Sequence, residues 1–183
     1  EHEDTEPECP DADYSLLNIA NIFDFANSVE INDIYETIER QIKYNSAIAH
    51  EGLKNNYGAR IGQILLLRGD DVRIKAKAYA AAGSDARMSG CDMPVIINSG
   101  SGNQGMTVSL PVLQYAEKWG ISDERKYRAL LISNLTAIHL KHYIGSLSAF
   151  CGAVTAACAA GGCFLSGGIV WSLADLTISA MTA

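Results

Sequence analysis

Apolar side chains repeat at helical spacing along most of this chain, and this periodicity constrains the fold more strongly than any other feature. Ile31, Ile34, Ile38 and Ile42 recur at steps of three and four residues, which places them on one face of a helix. We predict that this helix runs from residue 31 to about residue 54. The other predicted helices are 15–25, 59–67, 72–82, 106–119, 123–143, 147–165 and 169–183. So many helices with so little strand indicate an all-α fold.

Cap and turn residues set the predicted ends of these helices. Ser15 is the predicted N-cap of the first helix, and Gly83 and Gly120 are predicted to end helices as C-caps. Pro111 is predicted to lie either in the first turn of its helix or at a kink. For residues 61–67 a strand is an alternative, but the leucine run lacks β-branching and favours a helix.

The negative charge of the chain is concentrated at its beginning. The formal net charge of the 183 residues is −7, and residues 1–13 carry seven acidic groups and no Lys or Arg. The rest holds fourteen charged groups of each sign, so it lacks the basic face that a nucleic-acid partner would need. We predict an acidic, disordered leader over 1–13 and a single helical domain over 14–183, since this length suits one core.

Both ends of the chain suggest that the domain belongs to a longer polypeptide. Glu1 is not a methionine, and residues 177–183 form an apolar run without the Gly, Lys or Arg that commonly closes a helix. We therefore expect truncation at both ends. The remaining N- and C-terminal parts of the same polypeptide are the expected partners of this domain, and a homodimer is possible.

Residues 142–174 contain no Asp, Glu, Lys or Arg. This uncharged run is long enough to span a bilayer. Ala, Gly, Ser, Thr and Cys dominate the run, and Gly-Gly pairs at 161–162 and 167–168 interrupt it. Such small residues favour a helix packed closely by its neighbours over a membrane span. We predict a compact multi-helix domain with this Ala/Gly-rich helix buried at its centre, and no membrane partner.

Five cysteines lie at positions 9, 91, 151, 158 and 163. The odd number, the lack of a Cys-x-x-Cys pair and the lack of a signal-peptide pattern argue against a disulfide framework and against a structural zinc site. Free thiols suit a reducing compartment, so we predict a cytoplasmic location.

A polar, glycine-rich segment from 84 to 105 separates two helical regions. It ends in Gly100, Gly102 and Gly105, which fit the pattern Gly-x-Gly-x-x-Gly. In a dinucleotide-binding fold this pattern follows a strand, but residues 95–97 are only a short apolar run in a helical chain, so we reject that interpretation. Backbone N–H groups and small polar side chains before a helix can instead bind a small anion such as a carboxylate. A plain glycine-rich turn is the alternative.

Two runs in this segment resemble a known protein family. The runs are Ser84-Asp85-Ala86-Arg87-Met88, with Gly90 and Pro94 after it, and Asn98-Ser99-Gly100-Ser101-Gly102-Asn103-Gln104-Gly105. Together they closely resemble the bacterial and archaeal L-cysteine desulfidase family, which is related to the alpha chain of iron-sulfur L-serine dehydratases. The likeness extends from about Leu16 to the C-terminus and includes Glu51-Gly52-Leu53 and Asp123-Glu124-Arg125. The chain resembles a part of the C-terminal half of these proteins.

The resemblance implies a lyase that works without pyridoxal phosphate. Members hold a four-iron four-sulfur (4Fe-4S) cluster through three cysteines, and the open iron acts as a Lewis acid on the departing thiol or hydroxyl. Elimination from L-cysteine then gives H2S, pyruvate and ammonia. L-Serine is the alternative substrate. A non-catalytic helical domain for binding or scaffolding is the alternative of another class.

Cys151, in Leu-Ser-Ala-Phe-Cys-Gly, is the one cysteine of this chain that matches a cluster cysteine of the family. Cys91, Cys158 and Cys163 are interpreted as small buried residues, and the family's other two ligands belong to segments outside this chain. Because one thiolate cannot hold a cluster, we predict that the cluster belongs to the full-length protein. The fragment by itself is predicted to be inactive.

The resemblance also suggests which residues bind the substrate. The predicted substrate-binding residues are Asn98, Ser99, Gly100, Ser101, Gly102, Asn103, Gln104, Gly105 and Arg87. Arg87 either binds the substrate carboxylate through its planar guanidinium group or pairs with Asp85 or Asp92 as a brace.

Two residues near the end of the helix before Cys151 are candidates for the general base. Lys141 occupies a position where relatives commonly have a basic residue, and His139 lies close to it in sequence. Lys141 is alternatively a partner of the substrate carboxylate. For His139 and its neighbour His142, the alternative is a surface position near the negative end of the helix dipole.

Overall fold

The computed structural model describes residues 13–145 and 151–157, and these ranges contain helices and no β-strand. The α-helices are α1 (Ile19–Ser28), α2 (Ile31–Lys54), α3 (Ile61–Leu66), α4 (Val72–Met88), α5 (Gly102–Lys118) and α6 (Asp123–Ile144). A 3-10 turn, Tyr14–Leu16, precedes them, and a π-helical turn, Ala153–Ala157, follows. The predicted all-α class is confirmed. Among these helices none is long and apolar enough to cross a membrane.

Helix α5 lies at the centre of the described fold, where it packs against α2, α4, α6 and the π-helical turn. More than half of its residues are buried. The central helix predicted within 142–174 falls mostly outside the described residues, as do the predicted helix 169–183 and residues 1–12 of the predicted leader.

The isoleucine stripe of α2 is buried as predicted. Ile34 and Ile38 belong to a core cluster that joins α1, α2, α5 and α6, and Ile31 and Ile42 pack at its edge. The other buried members are Ile22, Ala26, Val112, Tyr127, Ala129, Leu130, Leu131 and Ile132. Each large aliphatic side chain contributes about 1.5–3 kcal/mol when fully buried, so this cluster is a main force holding α1 and α6 against α2.

Glycines bring α2, α3 and α4 into close contact. A β-carbon on Gly52 would overlap the backbone carbonyl of Ala82, and one on Gly62 would lie 2.5 Å from the carbonyl oxygen of Ala78. Since backbone atoms cannot yield as a flexible side chain does, these two positions require glycine. Gly83, on the α4 face toward α5, would place a β-carbon 2.6 Å from the sulfur of Met106.

The prediction that Gly83 ends its helix is wrong, because Gly83 packs inside α4 and the helix continues to Met88. The glycine that ends α4 is Gly90, with φ +83°. Its N–H donates to the carbonyl of Arg87 at 3.2 Å, and the Cys91 N–H donates to the carbonyl of Ala86 at 3.0 Å. This pair of bonds is a Schellman motif, in which a left-handed residue satisfies the last carbonyls of a helix.

Gly120 ends α5 through the same motif, which confirms the prediction there. Its φ is +60°, its N–H donates to the Glu117 carbonyl at 3.2 Å, and the Ile121 N–H donates to the Ala116 carbonyl at 3.0 Å. Pro111 lies inside α5 and not in its first turn, because α5 begins four residues earlier than predicted.

The N-cap of α1 is Asn18 and not the predicted Ser15. The Asn18 side-chain oxygen accepts from the Asn21 N–H at 2.9 Å, which satisfies one of the free donors of the first turn. Ser15 lies in the preceding 3-10 turn, where its own N–H donates to the Asp13 carboxylate at 2.9 Å. Helix α6 begins after Ser122, as predicted.

Candidate functional site

The glycine-rich loop is shorter than the predicted segment 84–105. Residues 84–88 form the last turn of α4, and Gly102–Gly105 form the first turn of α5, so the connection is the stretch 89–101. Ser101 is the N-cap of α5, with its hydroxyl accepting from the Gln104 N–H at 3.3 Å. The loop therefore delivers its polar residues directly to the beginning of the central helix.

Ser99 and Gly100 form a tight turn at the tip of the loop. Both have positive φ, +47° and +80°, and the flanking Asn98 and Ser101 exchange two backbone hydrogen bonds of 3.1 and 3.0 Å. Two successive residues with positive φ between a bonded pair define a hairpin-type turn. Ser99 is half-buried and Gly100 is exposed, so this turn is the part of the glycine-rich sequence that a ligand can reach.

Asn45 of α2 holds the loop in place just before this turn. Its side-chain oxygen accepts from the Ile96 N–H at 2.8 Å, and its side-chain nitrogen donates to the Ile96 carbonyl at 3.2 Å. The same nitrogen donates to the hydroxyl of Ser109 in α5 at 3.2 Å. Asn45 is fully buried, so its side chain satisfies the hydrogen-bonding groups of the Ile96 backbone that no helix or strand pairs.

A chain of hydrogen-bonded amide side chains, buried except for the half-buried Asn134, connects α2 and α6 to the loop and α5. Gln41 and Asn134 exchange two hydrogen bonds, of 2.9 and 2.8 Å. Asn98 donates to the Asn134 side-chain oxygen at 2.9 Å, and Gln104 donates to the Asn98 side-chain oxygen at 2.9 Å. The Ser99 hydroxyl donates to that same Asn98 oxygen at 3.0 Å. Buried amides that are bonded in this way fix the position of the segments that carry them.

Gly102 and Gly105 serve packing at the start of α5. A β-carbon on Gly102 would lie 2.5 Å from the Arg87 Nε and 2.8 Å from a methyl group of Val95, and one on Gly105 would overlap the Ile96 carbonyl. The Gly-x-Gly-x-x-Gly spacing thus reflects close approach between the loop and the helix that follows. Residues 95–97 form no strand, which agrees with the rejection of a dinucleotide site.

A groove of about 590 Å³ opens beside the Ser99–Gly100 turn. Ile138, Lys141 and His142 of α6 form one side of it, since their spacing of three and four residues places them on one helix face. The remaining lining residues are Tyr14, Ser99 and Gly100. The rings of His142 and Tyr14 are stacked with centroids 4.7 Å apart. This histidine therefore packs against Tyr14 at the rim of the groove.

The segment that begins at Cys151 reaches this groove through Gly152. Cys151 is exposed, and the residue after it, Gly152, packs against both Gln104 and Lys141. A β-carbon on Gly152 would overlap the side-chain oxygen of Gln104 and would lie 3.3 Å from the Cδ of Lys141. The Cys151 carbonyl accepts from the N–H groups of Val154 and Thr155 at 3.0 and 2.9 Å, which starts the π-helical turn.

The structure separates the predicted site residues into two groups. Ser99, Gly100 and Lys141 line the groove, and Gly152, which follows Cys151, packs against Lys141. Asn98, Gly102, Gln104 and Gly105 are buried, while Ser101 and Asn103 are half-buried. The buried residues support the turn from beneath, so direct substrate binding by them stays a prediction without geometric support.

His139 is not among the residues that line the groove. It lies two positions before Lys141, about 200° around the helix axis, and its ring packs edge-on against Tyr143 with centroids 5.1 Å apart. The role of His139 as general base stays a prediction, and this geometry gives it no support.

Arg87 acts as a brace, although not with the predicted partners. Its guanidinium donates to the Asn103 side-chain oxygen at 3.2 Å, and within 13–145 and 151–157 it forms no ion pair. The Asp85 carboxylate instead accepts from the Ile61 N–H at 2.9 Å, which caps α3. Arg87 thus ties the end of α4 to the first turn of α5.

Sequence reasoning missed Gln41, Asn45 and Asn134, which support the loop from α2 and α6. A signal was available for the first two. Gln41 and Asn45 continue the stripe of Ile34 and Ile38 at steps of three and four residues, and they are 3% and 0% exposed. A polar residue inside an apolar stripe must find hydrogen-bond partners in the core.

An iron-sulfur cluster takes three or four cysteine thiolates. The structure describes two cysteines. Cys91 is half-buried beside the cluster of Ile48, Met106 and Leu110, and Cys151 is exposed. Nowhere in the described ranges do three His, Cys, Asp or Glu side chains converge. The described residues alone do not fit a cluster, and Cys158 and Cys163 lie outside them.

Comparisons with known proteins identify the family. The family model described as serine dehydratase alpha chain matches residues 6–181. A UPF0597 protein of Lachnoclostridium phytofermentans is 59% identical over 157 residues, which cover 84% of this chain and 38% of that protein. A UPF0597 protein of Desulfitobacterium hafniense is 54% identical over 171 residues, covering 92% of this chain and 40% of that protein.

The chain thus spans about two fifths of the length of these curated relatives. No solved structure matches it. The family match covers nearly the whole chain, and the Asn98–Gly105 run and Cys151 both lie within it. The chain belongs to the serine dehydratase alpha-chain family.

Proposed function

We propose that the whole protein is an iron-sulfur-dependent lyase, independent of pyridoxal phosphate, that eliminates H2S from L-cysteine. One observation carries the proposal: the groove brings the Ser99–Gly100 turn and Lys141 together, and Gly152, the residue after Cys151, packs against Lys141. These residues come from the loop, from α6 and from the segment after α6. Their meeting in one place is the arrangement expected for a small polar substrate.

The proposed reaction is a β-elimination. A base removes the α-proton, the Cβ–S bond breaks, and the sulfur leaves with its electron pair and takes up a proton as H2S. The product, 2-aminoacrylate, tautomerises to an imine, and water hydrolyses the imine to pyruvate and ammonia. No electron is gained or lost, so the reaction needs no oxidant or reductant.

Lys141 and Ser99 have chemistry that suits the two charged groups of an amino acid. A lysine ammonium group is a compact point charge, and at the wall of the groove it can pair with the α-carboxylate. The Ser99 hydroxyl gives its hydrogen to Asn98, so its lone pairs remain available to accept from the α-ammonium group. In this arrangement Lys141 positions the carboxylate, while the base that removes the α-proton comes from elsewhere.

The 4Fe-4S cluster is part of the proposal for the whole protein. Cys151 would supply one thiolate, and the other ligands would come from the remaining parts of the polypeptide, which are the proposed partners of this chain. Residues 1–183 by themselves are accordingly predicted to release neither sulfide nor pyruvate. The alternative substrate is L-serine, and the description of the matching family favours it. The alternative of another class is a non-catalytic binding domain.

The test uses the whole protein, prepared and assayed without oxygen. Sulfide and pyruvate are measured with L-cysteine, and pyruvate alone is measured with L-serine. Equal amounts of sulfide and pyruvate from L-cysteine, lost in Cys151→Ser but kept in Cys91→Ser, would support the proposal. Turnover of L-serine alone would replace it with the dehydratase. Turnover of neither amino acid by protein with a full iron content would contradict both.

A further inference from the structure

Gln104 has a buried oxygen that the described residues leave without a donor. The side chain is fully buried, and its Oε1 accepts no hydrogen bond from residues 13–145 or 151–157. A buried amide oxygen without a partner costs roughly 1–3 kcal/mol. Such an atom in a native fold therefore requires an explanation in terms of what it faces.

Two backbone carbonyls determine which way this amide points. The Asn134 side-chain nitrogen donates to the Leu130 carbonyl at 2.8 Å, and the Asn98 side-chain nitrogen donates to the Asn134 carbonyl at 3.2 Å. A carbonyl only accepts, so the nitrogen of each asparagine must lie on that side. The Asn98 oxygen is then left to face Gln104, which must present its nitrogen to Asn98 and its oxygen to the opposite side.

On that opposite side is Gly152. The Gln104 oxygen occupies the space that a β-carbon on Gly152 would take. The Cδ of Lys141 would lie 3.3 Å from that β-carbon. Gly152 follows Cys151 directly, and its carbonyl accepts from the Ala156 and Ala157 N–H groups at 3.1 and 2.9 Å. The oxygen of Gln104 thus sets how closely the beginning of the π-helical turn can approach α5.

We propose that Gln104 is a positioning residue for Cys151 and not a contact for the substrate. The amide network holds the Gln104 side chain in place, and this side chain packs against Gly152. The contact thereby holds the Cys151 thiol at the edge of the groove. The inference deepens the proposed function and rests on it where activity is concerned.

The test compares Gln104→Met with Gln114→Met in the whole protein. Both glutamines are on α5 and are buried, 0% and 9% exposed, but Gln114 lies ten residues along, about 15 Å from Gln104. The Cys151 alkylation rate is measured by mass spectrometry in cluster-free protein, together with kcat and KM in loaded protein. Circular dichroism verifies that each variant is folded.

In Gln104→Met we expect the Cys151 alkylation rate to change about fivefold or more, because its turn is released from α5 and the surroundings of the exposed thiol are altered. We expect kcat to fall about tenfold or more while KM stays within about twofold, since no substrate contact is removed. Gln114→Met should change neither quantity. If Gln104→Met does not fold, Gly152→Ala disrupts the contact between Gln104 and Gly152 by adding a β-carbon to the glycine. The alkylation rate, kcat and KM are then measured for that variant.

An unchanged alkylation rate in folded Gln104→Met or Gly152→Ala would overturn the inference. A rise in KM with kcat unchanged would overturn it as well, because that result would make Gln104 a substrate contact. If the wild-type protein turns over no amino acid but Cys151 alkylation still responds to Gln104, the proposed function fails and the positioning role stands.

Discussion

The side-chain oxygen of Gln104 lies against Gly152, the residue that follows Cys151. Through this contact the buried amide network of the loop reaches the segment that carries the thiol. The two residues are far apart in sequence, and the contact couples the beginning of α5 to the π-helical turn. Substitutions at the two positions should therefore not be independent.

A double-mutant cycle tests this coupling. Gly152→Ala alone should destabilise the protein, because the added β-carbon overlaps the Gln104 oxygen. In a Gln104→Ala background the obstructing atoms are gone, so the same change should cost about 0.5–3 kcal/mol less. Urea unfolding of the four proteins measures the difference, and strictly additive free energies would show that the contact is absent in solution.

The amide network should be sensitive to the loss of Asn98. Asn98→Ala leaves the Gln104 side-chain nitrogen and the Ser99 hydroxyl without their acceptor, and it removes one of the two donors to the Asn134 side-chain oxygen. An unpaired buried group such as the Gln104 nitrogen costs about 1–3 kcal/mol. Asn56→Ala is the matched control, because Asn56 is exposed. Thermal unfolding should show a clear loss for the first variant and little change for the second; similar midpoints would argue that the network is not buried.

Two glycines separate backbone strain from steric overlap. Gly90 has φ +83° with no atom near its missing β-carbon, whereas a β-carbon on Gly105 would overlap the Ile96 carbonyl. Gly90→Ala should cost about 1 kcal/mol, the typical penalty for a left-handed residue other than glycine. Gly105→Ala should cost more, because the loop must move away from α5. Chemical denaturation compares the two, and a larger loss for Gly90→Ala would contradict this packing.

Tyr127 should contribute a pH dependence to stability in alkaline solution. Burial, and next the negative charge of Glu39, raise the pKa of this phenol from 10.0 to about 12. Because the folded protein holds the proton more tightly, the stabilisation is complete below pH 10 and is lost as the pH rises toward 12. The unfolding free energy of the wild type should therefore fall relative to Tyr127→Phe over this interval, and parallel profiles would contradict the assigned burial.

Helix positions were predictable from the sequence because the signals are local. The stripe of Ile34 and Ile38 and the C-cap at Gly120 require only neighbouring residues, and both predictions are confirmed. The prediction at Gly83 is wrong because a glycine in a helix can serve close packing as well as termination. The Met106 sulfur that faces Gly83 is far along the chain, so sequence spacing alone does not reveal it.

The site was predictable only in part for a related reason. The Asn98–Gly105 run and Cys151 could be selected from the sequence, because their residue pattern resembles a family. Which of them face the groove depends on how the loop packs on Asn45 and Asn134. Those hydrogen bonds join distant helices, so the burial of Gln104 and the position of His139 away from the groove emerge only in three dimensions.

Lys141 provides the most direct test of the groove as an amino-acid site. In the whole, cluster-loaded protein, kcat and KM for L-cysteine are measured for Lys141→Met and for Lys77→Met, an exposed lysine on α4 outside the groove. If Lys141 pairs with the substrate carboxylate, KM should rise about tenfold or more with a smaller change in kcat, and Lys77→Met should match the wild type. Unchanged kcat and KM in Lys141→Met would contradict the assignment of the substrate to this groove.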